Sequence, residues 1–292
     1  MRVVLVYIAV VLIWSTTPLA IKWSNNDVGF MAAVSLRMLL AAILAVLLLA
    51  LLRRRLFAEP GVWKFYFIAS LGLFPAMPMV YWSAQHISSG MLALIFSMTP
   101  IFTGLVSIVV LRTNPFTPTK ILALLLAIAG LLVIFMHQIQ FSVRAGGAIF
   151  AALTASAVMG GSSVILKRLD STVGSLQQTA GALIFALPSL LLSWWLWGDP
   201  WPTQVHAKTL YSLMYLVVFG SLLGFTFYYY LLRNISPISL SLVTLMTPVL
   251  ALYLGHLLAA EPLSLTLLVG AGMIILALAL YQGIFSRRRN SD

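Results

Sequence analysis

Fourteen residues from Ile87 to Pro100, ISSGMLALIFSMTP, return as Ile235 to Pro248, ISPISLSLVTLMTP, with seven of the fourteen columns identical and no gap. The same offset pairs Gly72 with Gly220 and Tyr81 with Tyr229, so the correspondence reaches back into the preceding apolar segment. The chain is therefore read as a duplication, and its fold has to place the same local sequence twice.

The surroundings of the repeat fix the solvent. Hydrophobic residues make up 62% of the chain and charged residues 8%, against roughly 25% charged in a soluble domain. This is the composition of an integral membrane protein. About twenty apolar residues span a bilayer, and ten such segments can be marked: 3–22, 29–52, 63–86, 90–112, 118–137, 146–168, 176–198, 209–232, 236–259 and 264–286. Runs this long, rich in Leu, Ala and Gly, predict helices rather than the alternating strands of a membrane barrel. The expected class is an all-α integral membrane protein. The first segment has no convincing small-residue cleavage site and is expected to stay as a helix.

Charge gives the orientation. With ten spans and the N-terminus inside, the cytoplasmic side holds Arg2, Arg53, Arg54, Arg55, Lys64, Arg112, Lys120, Lys167, Arg168, Arg233, Arg287, Arg288 and Arg289; the outside holds Lys22, Arg144 and Lys208. That bias predicts both termini in the cytoplasm. The net charge of +11 is then explained by topology and by anchoring to the lipid bilayer, and no nucleic-acid partner is expected. Ten spans divide into two units of five, residues 1–144 and 145–292. Because five is odd, the second unit has to enter the membrane from the opposite side, which makes the pair inverted repeats. Such repeats are the pattern of secondary transporters, whose site lies between the halves near the midplane.

Depth selects the candidate residues. At 1.5 Å per helical residue, Trp14 lies about 16 Å from the inner end of its span, and Pro100 about 15 Å from the outer end of its own. Pro248 is about as deep. A proline there removes a backbone hydrogen bond and frees a carbonyl, so Thr99, Pro100, Thr247 and Pro248 are expected to flank a path. Their Thr hydroxyls can alternatively bond back to their own helices. Arg37 is the one formal charge deep inside a span, costly unless paired or hydrated. Its planar donor fork suits a carboxylate or phosphate, or else carbonyls freed by a kinked neighbour. Thr16, Gly160 and Ser163 sit in polar or small stretches at similar depth. Tyr81 and Tyr229 are the repeat-related aromatic candidates for a flat wall.

These residues resemble the EamA-type branch of the drug/metabolite transporter superfamily. The resemblance rests on two five-helix units, on Trp14 followed by small polar residues and Lys22, on the two Thr-Pro pairs, and on Glu261-Pro262 after the ninth helix. The family usually shows Trp-Gly where this chain has Trp14-Ser15, and an acidic residue where it has Thr113. The resemblance implies export of small metabolites, often amino acids or related compounds, across a bacterial cytoplasmic membrane.

Other classes fit less well. No HExxH, Asp-rich motif or phosphate loop appears, so no catalytic residue, metal or cofactor is expected. A channel would carry rings of charge or a filter repeat. A scaffold or receptor subunit would not explain the paired prolines. An exporter of drugs or organic cations would want an acid at depth, whereas Arg37 favours an anionic or zwitterionic small-molecule substrate. The fused repeat is compatible with a monomer or a homodimer.

Overall fold

The computed structural model describes residues 2–57, 59–112, 116–139, 143–169, 173–234 and 237–281. Among these residues the regular structure is helical and no strand forms. The first half contributes α1 (Arg2–Val28), α2 (Phe30–Leu51), α3 (Val62–Leu71), α4 (Ala76–Ala84), α5 (Ser89–Phe96), α6 (Thr99–Val110) and α7 (Pro118–Ile139). The second contributes α8 (Val143–Leu169), α9 (Ser175–Trp197), α10 (Ala207–Tyr215), a π-helical stretch (Leu216–Leu223), α11 (Gly224–Asn234), α12 (Pro237–Ala259) and α13 (Leu265–Tyr281).

Seven helical segments are long and apolar enough to cross a bilayer, and three shorter apolar ones accompany them within α7, α12 and α13. The membrane-protein expectation holds, while the count of ten full-length spans is met only by adding the shorter helices. The bundle turns apolar side chains outward: Val109, Phe150 and Trp195 are 78%, 70% and 81% exposed. Such a surface suits lipid rather than water.

Three of the segments predicted as continuous are interrupted. α3 gives way to α4 through Gly72, Leu73, Phe74 and Pro75, where the chain tightens and Leu73 and Phe74 both donate to the Ser70 carbonyl at 2.8 Å. α5 gives way to α6 at Ser97–Met98. Pro100 lacks the N–H that would reach the Phe96 carbonyl in an unbroken helix. The Thr99 hydroxyl supplies the missing donor, bonding that carbonyl at 2.6 Å. The third interruption is the π stretch around Gly220, a wide turn of the kind that accompanies functional sites. Gly72 and Gly220 are repeat-related, so each half departs from α geometry at the same column.

Helix neighbours recur in the same way. α1 packs on α12 as α8 packs on α6, and α1 packs on α10 and α11 as α8 packs on α3 and α4. α3 lies on α9 as the π stretch lies on α2; the pairs α2 with α9, α5 with α12 and α7 with α13 map onto themselves. The neighbour pattern therefore has twofold character. α7 and α13 approach most intimately at two glycines: a Cβ at either Gly130 or Gly270 would lie 2.8 Å from the other's carbonyl oxygen. Small residues at such crossings let membrane helices meet backbone to backbone.

Candidate functional site

Between the two halves lies a cavity of about 140 Å³. One face of α1 contributes Trp14, Thr17, Pro18 and Ile21, spaced to stack along one side of a helix. α5 and the start of α6 supply Leu92, Ala93, Phe96 and Thr99 by the same spacing. Arg37 enters from α2, Met159 and Ser163 from α8, Gly220 from the π stretch, Phe225 and Tyr228 from α11, and Thr247 from α12.

Arg37 is the only formally charged residue among the described residues of that wall, and it is 1% exposed. Its Nε donates to Ser221 Oγ at 2.7 Å and one terminal nitrogen donates to Tyr81 Oη at 3.2 Å. Both partners are neutral, so they orient the guanidinium without cancelling its charge. The alternative in which Arg37 caps freed carbonyls is not what the described residues show. Its other terminal nitrogen borders Gly220, where a Cβ would come within 2.9 Å.

A narrower space of about 30 Å³ adjoins the first and shares Trp14, Met159, Ser163, Phe225 and Tyr228 with it. The rings of Trp14 and Tyr228 lie 5.1 Å apart at 32°, and Tyr228 Oη meets Ser163 Oγ at 3.0 Å. These residues form a waist between the two spaces. Beyond it lie Gly72, Ser162, Leu166 and Tyr229.

The bundle end that carries Lys22 is fastened by Glu261, which is 6% exposed. Lys22 Nζ donates to its carboxylate at 2.7 Å, and the Ser89 N–H and hydroxyl donate to the same group at 3.0 and 2.8 Å. The Ser89 N–H is one of the orphan donors at the start of α5, so the carboxylate caps that helix. Ala260, in the left-handed region at φ 51, turns the chain so that Glu261 reaches inward. Gly255 leaves room for it, since a Cβ there would lie 2.4 Å from the carboxylate. Burial pushes the Glu261 carboxyl up, but hydrogen bonds from Lys22 and Ser89 and the Lys22 charge outweigh it and hold it below the ordinary value of 4.5.

Of the residues picked out in the sequence, Trp14, Arg37, Thr99, Ser163 and Thr247 line the larger cavity. Thr16 does not: its hydroxyl lies 2.5 Å from Tyr215 Oη and also bonds back to the Ile13 carbonyl. Tyr81 is fully buried and braces Arg37 rather than forming a wall. Gly160 is a packing contact, where a Cβ would meet Thr103 Oγ1 at 2.9 Å. Tyr229 borders only the smaller space. The two prolines differ, because Pro100 opens α6 after a break whereas Pro248 sits inside the unbroken α12; neither lines the cavity. Thr113 lies outside the described residues.

Three residues went unrecognised or misplaced. Tyr228, passed over in the sequence in favour of Tyr229, lines the cavity; its spacing of three from Phe225 on one helical face is the available signal. Glu261, marked in the sequence only by its place before Pro262 after the ninth span, is buried. Gln178, not singled out in the sequence, is 2% exposed.

A multi-pass helical bundle with a mid-bundle cavity shared by two related halves is the architecture of a small-molecule membrane transporter. Sequence comparison makes this specific: the EamA-like transporter family matches residues 1–136 and again 146–282, and the chain belongs to that family. It is similar to Protein PecM of Dickeya dadantii, 28% identical over 86% of each chain. It is also similar to the uncharacterized transporter YoaV of Bacillus subtilis, 27% identical over 99% of each. A solved crystal structure shares the fold over 99% of both chains, with a TM-score of 0.70 at 18% identity.

Proposed function

We propose that the protein exports small carboxylate-bearing metabolites, amino acids or related carboxylates, and acts as a transporter rather than an enzyme. The observation that carries this reading is the Arg37 guanidinium, buried at the cavity wall with neutral partners and no acid among the described lining residues. A planar donor fork in a buried site recognises a carboxylate strongly. The same charge opposes organic cations. Loss of one solute class from preloaded bacterial cells, compared with Arg37→Gln at matched membrane expression, tests the reading: efflux should fall at least tenfold in the variant. Efflux unchanged by the substitution would reduce Arg37 to a structural role.

The mechanism we infer is alternating access by two inverted repeats, divided near residues 144 and 145, in the cytoplasmic membrane with both termini inside. The paired helix neighbours and the repeat-related interruptions at Gly72 and Gly220 support it. The chain has no cysteine, so single cysteines can be read without background. A cysteine at Phe57 is expected to label only from the cytoplasmic side and one at Val205 only from outside. The reverse result at either position would overturn the orientation.

A further inference from the structure

Among the described residues the cavity's cation has no counter-ion, and this decides more than affinity for a carboxylate. Among the described residues two ion pairs occur, Lys22 with Glu261 and Asp27 with His206, and neither involves Arg37. A buried guanidinium with neutral partners bears a desolvation cost that a bound anion relieves. A zwitterion relieves it less, because its ammonium enters the same small space within reach of the guanidinium. The described lining offers that ammonium no carboxylate. The nearby hydroxyls of Thr17 and Thr99, whose protons go to the Ile13 and Phe96 carbonyls, leave it only neutral oxygens as acceptors.

Size and polarity point the same way. A dry cavity of about 150 Å³ holds benzene, and this one measures about 140 Å³. Trp14, Phe96, Phe225 and Tyr228 give it aromatic walls. The terminal nitrogen of Arg37 beside Gly220 has no hydrogen-bond partner among the described residues, and Gly220 leaves it uncovered.

We propose that the site is built for monoanionic carboxylates with a compact apolar or aromatic body and no ammonium group, which are favoured over the corresponding amino acids. This rests on the carboxylate-transport reading above and narrows it. The discriminating series is 3-phenylpropanoate, phenylalanine and 2-phenylethylamine, which share a body and differ in charge. Binding to the purified full-length protein in nanodiscs is measured by calorimetry. 3-Phenylpropanoate should bind at least tenfold tighter than phenylalanine, with 2-phenylethylamine weakest. Arg37→Gln should cost 3-phenylpropanoate at least tenfold and erase its advantage over phenylalanine, and Arg37→Lys should retain part of it.

Gly220→Ala, which crowds the uncovered nitrogen while keeping the charge, should weaken the anion severalfold; it serves if Arg37→Gln fails to fold. Phenylalanine binding as tightly as 3-phenylpropanoate would overturn this narrowing and leave amino-acid export standing. Tightest binding by 2-phenylethylamine would overturn both. Displacement of 3-phenylpropanoate by equimolar inorganic phosphate would overturn the requirement for an apolar body. Absence of binding by all three probes would overturn the proposal.

Discussion

Glu261→Leu is expected to destabilise the bundle by roughly 3 kcal/mol and to cut transport at least tenfold. Removing one partner of a buried ion pair typically costs about 3–5 kcal/mol because the other charge is left uncompensated. The lower end applies because Lys22 is 36% exposed and water screens it. Added to this is the orphaned Ser89 N–H at the start of α5. Glu261→Gln keeps an acceptor for Ser89 and should fall between the variant and the parent. Thermal unfolding in detergent, with and without the substitution, checks the magnitude.

The same contact sets a pH dependence. The folded protein holds the Glu261 carboxyl below its ordinary value of 4.5, so the folded state binds fewer protons there than the unfolded chain. Its contribution is fully present above that value and is lost as pH falls through the lowered folded-state value. Unfolding temperature should therefore drop with acidification below about 4.5, and the Glu261→Gln variant should lack that component.

Gly270→Leu should be the most damaging single change outside the cavity, with little or no folded protein recovered from membranes. A side chain at Gly270 has to clear the Gly130 carbonyl oxygen, 2.8 Å from the Cβ position, and Ile134 at 2.5 Å. Backbone cannot yield as a flexible side chain does, so α7 and α13 have to separate. Overpacking commonly costs about 1–3 kcal/mol even where side chains adjust, and here more is expected. Gly272→Leu supplies the internal control: two residues along the same helix, its Cβ would meet nothing within 4 Å. Fluorescence-detected size exclusion of both variants tests the contrast. Equal recovery would show that α7 and α13 tolerate separation.

What could be read from the chain alone followed from how each signal is encoded. The membrane class and the duplication were legible because they are written over long stretches, in apolar runs and in matching columns. The interruptions of helices were not, since an average over twenty residues is blind to a break of two. Arg37 stood out as a charge in an apolar run. Tyr228 did not, because column identity in the repeat selected Tyr229, about 100° away around the same helix. Glu261, Lys22 and Ser89 were beyond local reading altogether. They are separated by 239 and 172 positions, and each looks like an ordinary solvated helix end until the bundle brings them together.

Gly72 and Gly220 add a mechanical consequence. They line different spaces, Gly72 the smaller and Gly220 the larger, so the two softened turns sit on either side of the Trp14 and Tyr228 rings. A helix bends most cheaply where its regular ladder is already broken. The same joint thus occurs twice, once beside each of the two spaces that these rings divide. Each half carries, beside its own space, the place where its helix bends most cheaply.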